Sequence, residues 1–168
     1  QGIQFDGIND YTQVSDSASL RLTAFTVSHW VKGNGAPTTA KYEQTFSKGS
    51  SSEGQNYQFA WSHVDANFQK SCALYDGGWK SAKLTSTLSA NVWYHIVCTR
   101  DTSGNLKAFL NGVQEASTVT GTPSTGVRIL SIGSGHSDAD AVASPFAGAI
   151  DDVRVYSRAL SADEIKRL

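Results

Sequence analysis

An all-β domain is what this chain predicts, and three observations predict it. Residue type alternates with period two almost throughout, turn signals separate the alternating runs, and helix signals are confined to the C-terminal SADEIKRL. That pattern belongs to a sandwich or a barrel. The 168 residues suit one domain, on a prior of roughly 100–200 residues each. No internal repeat is visible, and none of Pro37, Pro123 and Pro145 marks a linker. A single domain over residues 1–168 is expected, and the opening QGIQFDG reads as a piece excised or matured from a larger protein.

Near the start, residues 2–5 and 11–14 alternate as strands. Further strands are expected at 26–32, 57–62, 71–75, 93–100, 106–110, 127–133 and 149–157. Thr102-Ser103-Gly104-Asn105 joins two of these. Asn111-Gly112 signals a tight hairpin, because both positions tolerate positive φ, so three consecutive antiparallel strands follow. The run 93–100 places Trp93, His95, Val97 and Thr99 on one face and Tyr94, Ile96 and Cys98 on the other. Neither face suits water, so this strand should be central. Residues 33–52 and 134–144 read as long loops. In the tail, Ser161 is placed to cap a helix, Glu164 to complete a capping box, and Leu160 and Ile165 to staple it. About two helical turns are expected there.

Composition narrows the function. Fourteen basic and 15 acidic residues argue against a dedicated nucleic-acid binder. No stretch approaches the roughly 20 apolar residues of a membrane-spanning helix, and the first twenty residues lack a signal-peptide pattern. Four Trp, seven Phe and six Tyr supply a core and exclude disorder. Cys72 and Cys98 lie on apolar strand faces without CxxC or metal spacing, which leaves one disulfide or two buried thiols. Low charge and abundant Ser and Thr favour an extracellular setting.

No catalytic constellation is visible. Glu43, Glu53 and Glu115 stand apart from other acids, Glu164 sits in the tail beside Asp163, and no E-x-D-x-E, G-x-S-x-G or H-E-x-x-H pattern occurs. In AIDDVRVYS, alternation puts Asp151 with Ala149, Val153 and Val155. A carboxylate on an apolar face must be hydrogen-bonded, paired or bound to a metal. If the terminal strands are neighbours, Asp6, Asp10 and Asp151 form an oxygen-rich structural Ca²⁺ site. The alternative is that Asp6 and Asp10 stabilise turns and Asp151 accepts backbone hydrogen bonds.

Candidate ligand residues are aromatic rings and loop acids. Tyr57, Phe59, Trp61 and His63 share one face of NYQFAWSH, which serves as a core stripe or, through Tyr57 and Trp61, as a binding platform. Trp79 follows Gly77-Gly78 near a turn tip, where a large ring has less core to enter, so it is expected to be exposed. In the loop from Gly133, His136, Asp138 and Asp140 offer a D-x-D pattern for Ca²⁺ or sugar hydroxyls, the alternative being a solvated loop. Lys32, Lys41 and Lys48 attract anionic polysaccharide or simply solubilise the surface.

Three pieces in order, FDGINDYTQV, then FTVSHWVKG with WYHIVCTRDTSGNLKAFLNGV, and FAGAIDDVRVYSRALSADEIKRL, give the chain a resemblance to the laminin-G-like domains of the concanavalin A-like lectin and glucanase superfamily. The resemblance implies a two-sheet antiparallel jelly-roll sandwich with one short C-terminal helix. It further implies a non-catalytic, monomeric module of a secreted or cell-surface protein that binds a glycan or polysaccharide. A protein-binding or structural adhesion module is the rival, and a glycoside hydrolase the more distant one. In related glucanases the acid matching Asp151 contributes to a structural calcium, but the catalytic E-x-D-x-E strand of those enzymes is missing here. Within the family's strand motifs, Trp30 and Trp93 are expected to fill the space between the sheets, with His29 and His95 as core imidazoles.

Overall fold

The computed structural model describes residues 2–49, 57–66, 69–115, 118–136 and 142–168. Its strands are β1 Ile3–Asp6, β2 Thr12–Val14, β3 Phe25–Gly33, β4 Glu43–Lys48, β5 Tyr57–Ser62, β6 Ser71–Tyr75, β7 Trp79–Lys83, β8 Tyr94–Arg100, β9 Asn105–Leu110, β10 Val113–Gln114, β11 Val119–Thr120, β12 Leu130–Ile132 and β13 Ala147–Tyr156. A single-turn helix, α1 Ala162–Ile165, follows. Two antiparallel sheets result. One runs β1-β13-β3-β8-β9-β10, with β11 also paired to β9, and the other runs β2-β12-β4-β5-β6-β7. This is the two-sheet jelly-roll sandwich, and its first and last strands, β1 and β13, pair.

Alternation explains the layering. Phe25, Val27 and Val31 of β3 and Ile96 and Cys98 of β8 face inward to meet Phe46 of β4, Tyr57, Phe59 and Trp61 of β5 and Cys72 and Leu74 of β6. Cys72 and Cys98 are bridged, their Cα atoms 5.6 Å apart, so the disulfide ties β6 of one sheet to β8 of the other. At the Asn111-Gly112 hairpin both residues have positive φ, 49° and 81°, and β9 folds back on β10.

The tail seals part of the outer face of the seven-stranded sheet. Leu160 and Ile165 cover Val97 and Phe109 in a second, smaller apolar cluster. Ser161 Oγ accepts from the Glu164 amide at 3.3 Å and Glu164 Oε2 accepts from the Ser161 amide at 2.8 Å, the expected capping box. The helix has one turn where two were expected.

Strands β4, β7 and β11 were not expected from the sequence. The expected loop 33–52 contains β4, whose pairing with β5 shifts register between Glu43 and Gln44 and again between Gln44 and Phe46. Those irregularities break the period-two signature that identifies strands. β7, with only Trp79 and Ala82 as apolar members, is made a strand by pairing along all five residues of β6.

Candidate functional site

The acids at the two ends do not converge. Asp6 lies opposite Ala147 on β13, and Asp151 lies four residues further along that strand, roughly 13 Å away at about 3.3 Å per residue. The carboxylates of the turn are already employed: Asp6 Oδ1 accepts from the amides of Ile8 (2.7 Å) and Asn9 (3.3 Å), and Asp10 Oδ2 accepts from the Asp6 amide (3.0 Å). The Ile8 amide, first among these, draws the Asp6 pKa below its ordinary value. Among the described residues no group of three or more His, Cys, Asp or Glu is placed to hold a metal ion. Asp6, Asp10 and Asp151 therefore do not fit a shared calcium site.

Asp151 is also on the other face from the one expected. It pairs opposite Trp30, and two residues, Asp152 and Val153, then stand against His29 alone. Asp152 takes φ 50° in this bulge. The extra residue inverts the phase of the strand. Val153 and Val155 return to the inter-sheet core, while Asp151 stays outside with Trp30.

Tyr57 and Trp61 are core residues, each 1% exposed, and do not form a platform. Their polar tips are satisfied inside: Tyr57 Oη donates to the Leu20 carbonyl at 3.1 Å and Trp61 Nε1 to the Gly35 carbonyl at 3.3 Å. The Tyr57 hydroxyl is accordingly raised in pKa by burial. His29 is fully buried, with Nε2 at 2.9 Å from Thr45 Oγ1, and burial pushes its pKa down to about 3. His136 is buried too, edge-to-face against Tyr11 at 4.9 Å. Tyr11 immediately precedes β2, at the far edge of the six-stranded sheet from β7, so His136 and Trp79 do not share a site. Asp138 and Asp140 lie outside the described residues. The short segment before them covers the sheet: a Cβ on Gly135 would come within 2.1 Å of Gln44 Oε1.

Trp79, expected to be exposed, is half-buried. It opens β7 on the outer face of the six-stranded sheet, opposite Tyr75, with ring centroids 5.6 Å apart at 75°. Between them runs the hairpin Asp76-Gly77-Gly78, closed by the Asp76 amide on the Gly78 carbonyl at 3.1 Å, with Gly77 at φ 88°. Tyr75, Asp76 and Gly77 form one side of an open trough of about 610 Å³, and Thr122, Pro123 and Ser124 the other. Arg100 fixes that second wall. Its guanidinium is buried and donates from Nε to the Gly121 carbonyl at 2.5 Å and from Nη2 to Thr122 Oγ1 at 3.4 Å. The trough thus joins the Tyr75 ring, a carboxylate and hydroxyls on two segments, with Trp79 packed against Tyr75.

Trp30 and Trp93, expected in the core, are on the surface. Trp30 is half-buried and Trp93 is 37% exposed, and both line a depression on the outer face of the seven-stranded sheet. A sequence signal for Trp30 existed: in FTVSHWVKG its face-mates are Thr26, Ser28 and Lys32, whereas Phe25, Val27 and Val31 face the core.

A family model for the concanavalin A-like lectin/glucanases superfamily matches residues 6–166. No curated protein matches the chain in sequence. Among solved structures, domain 4 of AbnA, a GH43 extracellular arabinanase from Geobacillus stearothermophilus in complex with arabinotriose, superposes with a TM-score of 0.76 at 19% identity, covering 96% of this chain and 74% of that one. The CBM40 of the Ruminococcus gnavus IT-sialidase, bound to α2,3 sialyllactose, gives 0.71 at 17% identity over 98% and 97%. A heptameric SAP-like pentraxin from Limulus polyphemus gives 0.70 at 14% identity over 97% and 78%. At such identities these neighbours report the fold. On the family match, which spans nearly the whole sequence, the chain belongs to the concanavalin A-like lectin/glucanase superfamily.

Proposed function

We propose that this chain is a non-catalytic carbohydrate-binding module of an extracellular protein, and that glycan sits on the Tyr75–Trp79 pair beside the trough. The observation that carries the reading is this pair: a half-buried indole braced edge-to-face by Tyr75, which lines the trough with Asp76, Thr122 and Ser124. An apolar ring face packs against the C–H face of a sugar while carboxylate and hydroxyls take its OH groups. The carbohydrate-bound neighbours support a glycan as ligand. The inter-sheet disulfide supports an oxidising compartment.

Support for a non-catalytic role comes from the acids themselves. Glu43 accepts from Ser62 Oγ and the Ala147 amide, Glu115 from the amides of Thr85 and Ser86, and Glu164 from the Ser161 amide and Arg158. Each described glutamate thus holds a turn, a cap or a strand end. The test is a glycan array with and without Ca²⁺, run on wild type and Trp79→Ala. A glycan bound by wild type and lost, by tenfold or more, in Trp79→Ala supports the reading. Binding that survives the substitution moves the site elsewhere. No glycan bound, with a protein captured instead, replaces the reading by an adhesion module.

A further inference from the structure

We propose a second glycan site on the opposite sheet, where Trp30, Trp93, Asp151 and Asp152 take one neutral sugar residue, making the module bivalent. These four residues line a cavity of about 300 Å³ on the outer face of the seven-stranded sheet. That volume is at the small end of ligand pockets, which run from about 300 to 1,000 Å³. It suits a single ring or a chain end rather than a long segment.

The register assembles the site from three strands. Trp30 of β3 lies between Asp151 of β13 and His95 of β8. Its indole stacks on the His95 imidazole, centroids 5.2 Å apart and 23° from parallel. His95 Nε2 is in turn 2.8 Å from Ser28 Oγ, and burial lowers the imidazole's pKa. The ring that braces Trp30 is therefore held in place. Trp93 closes the other side: Lys32 Nζ sits 5.4 Å from its ring centroid, and a Cβ on Gly2 would come within 2.9 Å of its Cη2. The glycine lets the indole lie against β1.

The polar groups are oriented before any ligand arrives. Asp152 is gripped by Arg154, with Nε 2.9 Å from Oδ1 and Nη2 2.7 Å from Oδ2. Asp151 Oδ1 accepts from the Asp152 amide at 2.9 Å, and each carboxylate oxygen has lone pairs for more than one donor. Charge then selects the ligand class. Two aspartates are balanced by Lys32 and Arg154, so neither an anionic nor a cationic ligand is favoured. Indole faces with hydroxyl-accepting carboxylates and no net charge match a neutral sugar.

This site builds on the carbohydrate reading but uses none of the Trp79 residues, which allows the two to fail separately. The experiment is isothermal titration of the whole domain with neutral arabino-, xylo-, gluco- and galacto-oligosaccharides, on wild type, Trp93→Ala, Asp151→Asn and Trp79→Ala, with circular dichroism confirming the fold of each. Trp93 is exposed, and Asp151→Asn keeps the side-chain shape. The expected result is two sites per chain in wild type, reduced to one by Trp93→Ala, weakened at one site by Asp151→Asn, and reduced to the other one by Trp79→Ala. Retained tight-binding polysaccharide would also fall by tenfold or more in either single-site variant, because linked sites act in concert. One site in wild type that ignores Trp93→Ala and Asp151→Asn but vanishes in Trp79→Ala overturns the second site alone. One site lost in Trp93→Ala and kept in Trp79→Ala supports the second site and overturns the first. No binding of any neutral sugar by wild type overturns it outright.

Discussion

Asp16 holds the ammonium of Lys48, a side chain with no solvent exposure, at 2.6 Å. Lys48 also donates to the Arg128 carbonyl, and Asp16 accepts from Arg21 Nε at 3.0 Å. Three chain segments distant in sequence meet at this one ammonium. Asp16→Asn leaves a buried cation without its counter-ion, and breaking a buried pair in this way costs about 3 kcal/mol or more. Urea denaturation should show a lower midpoint with an unchanged slope.

The same carboxylate sets a pH response. Arg21 first, and Lys48 second, draw the Asp16 pKa from 3.8 down to about 2. A pKa lowered by folding stabilises the folded state at all pH above the unfolded value and loses that contribution as pH falls through the folded one. Melting temperature followed from pH 5 to pH 2 should fall more steeply for wild type than for Asp16→Asn. Equal slopes would show that Asp16 contributes nothing to acid sensitivity.

The bridge between Cys72 and Cys98 closes a separation of 26 residues and crosses from sheet to sheet. In the loop-entropy description it stabilises by roughly 3–4 kcal/mol. The Cys72→Ala, Cys98→Ala double variant should lose about that much in denaturant titration. Dithiothreitol should lower the midpoint of wild type and leave the double variant where it is.

Trp61→Ala distinguishes core from platform. The ring meets Phe146 edge-to-face at 5.7 Å and is 1% exposed. Removing it should cost roughly 3–5 kcal/mol. A variant of unchanged stability with lost glycan binding would instead make Trp61 a ligand residue.

For Asp6 the expected effect is on the turn. Asp6→Ala should lower the melting temperature by the same amount in EDTA and in excess Ca²⁺, because the lost partners are the Ile8 and Asn9 amides. Calcium-dependent stabilisation that Asp6→Ala abolishes would assign Asp6 to a metal.

What the sequence determined by itself was local. Asn111-Gly112 and the Ser161–Glu164 capping box depend only on near neighbours in the chain, so composition and spacing reveal them. The tertiary structure decided which face each remaining group occupies. A bulge at Asp152–Val153 sends Asp151 outward and returns Val153 to the core, and irregular pairing hides β4 from any period-two reading. Register between strands far apart in sequence places Trp30 beside Asp151 and separates Asp151 from Asp6. One added residue inverts a strand's faces, and hydrogen bonding to a distant partner, not the strand's own alternation, determines where that residue goes.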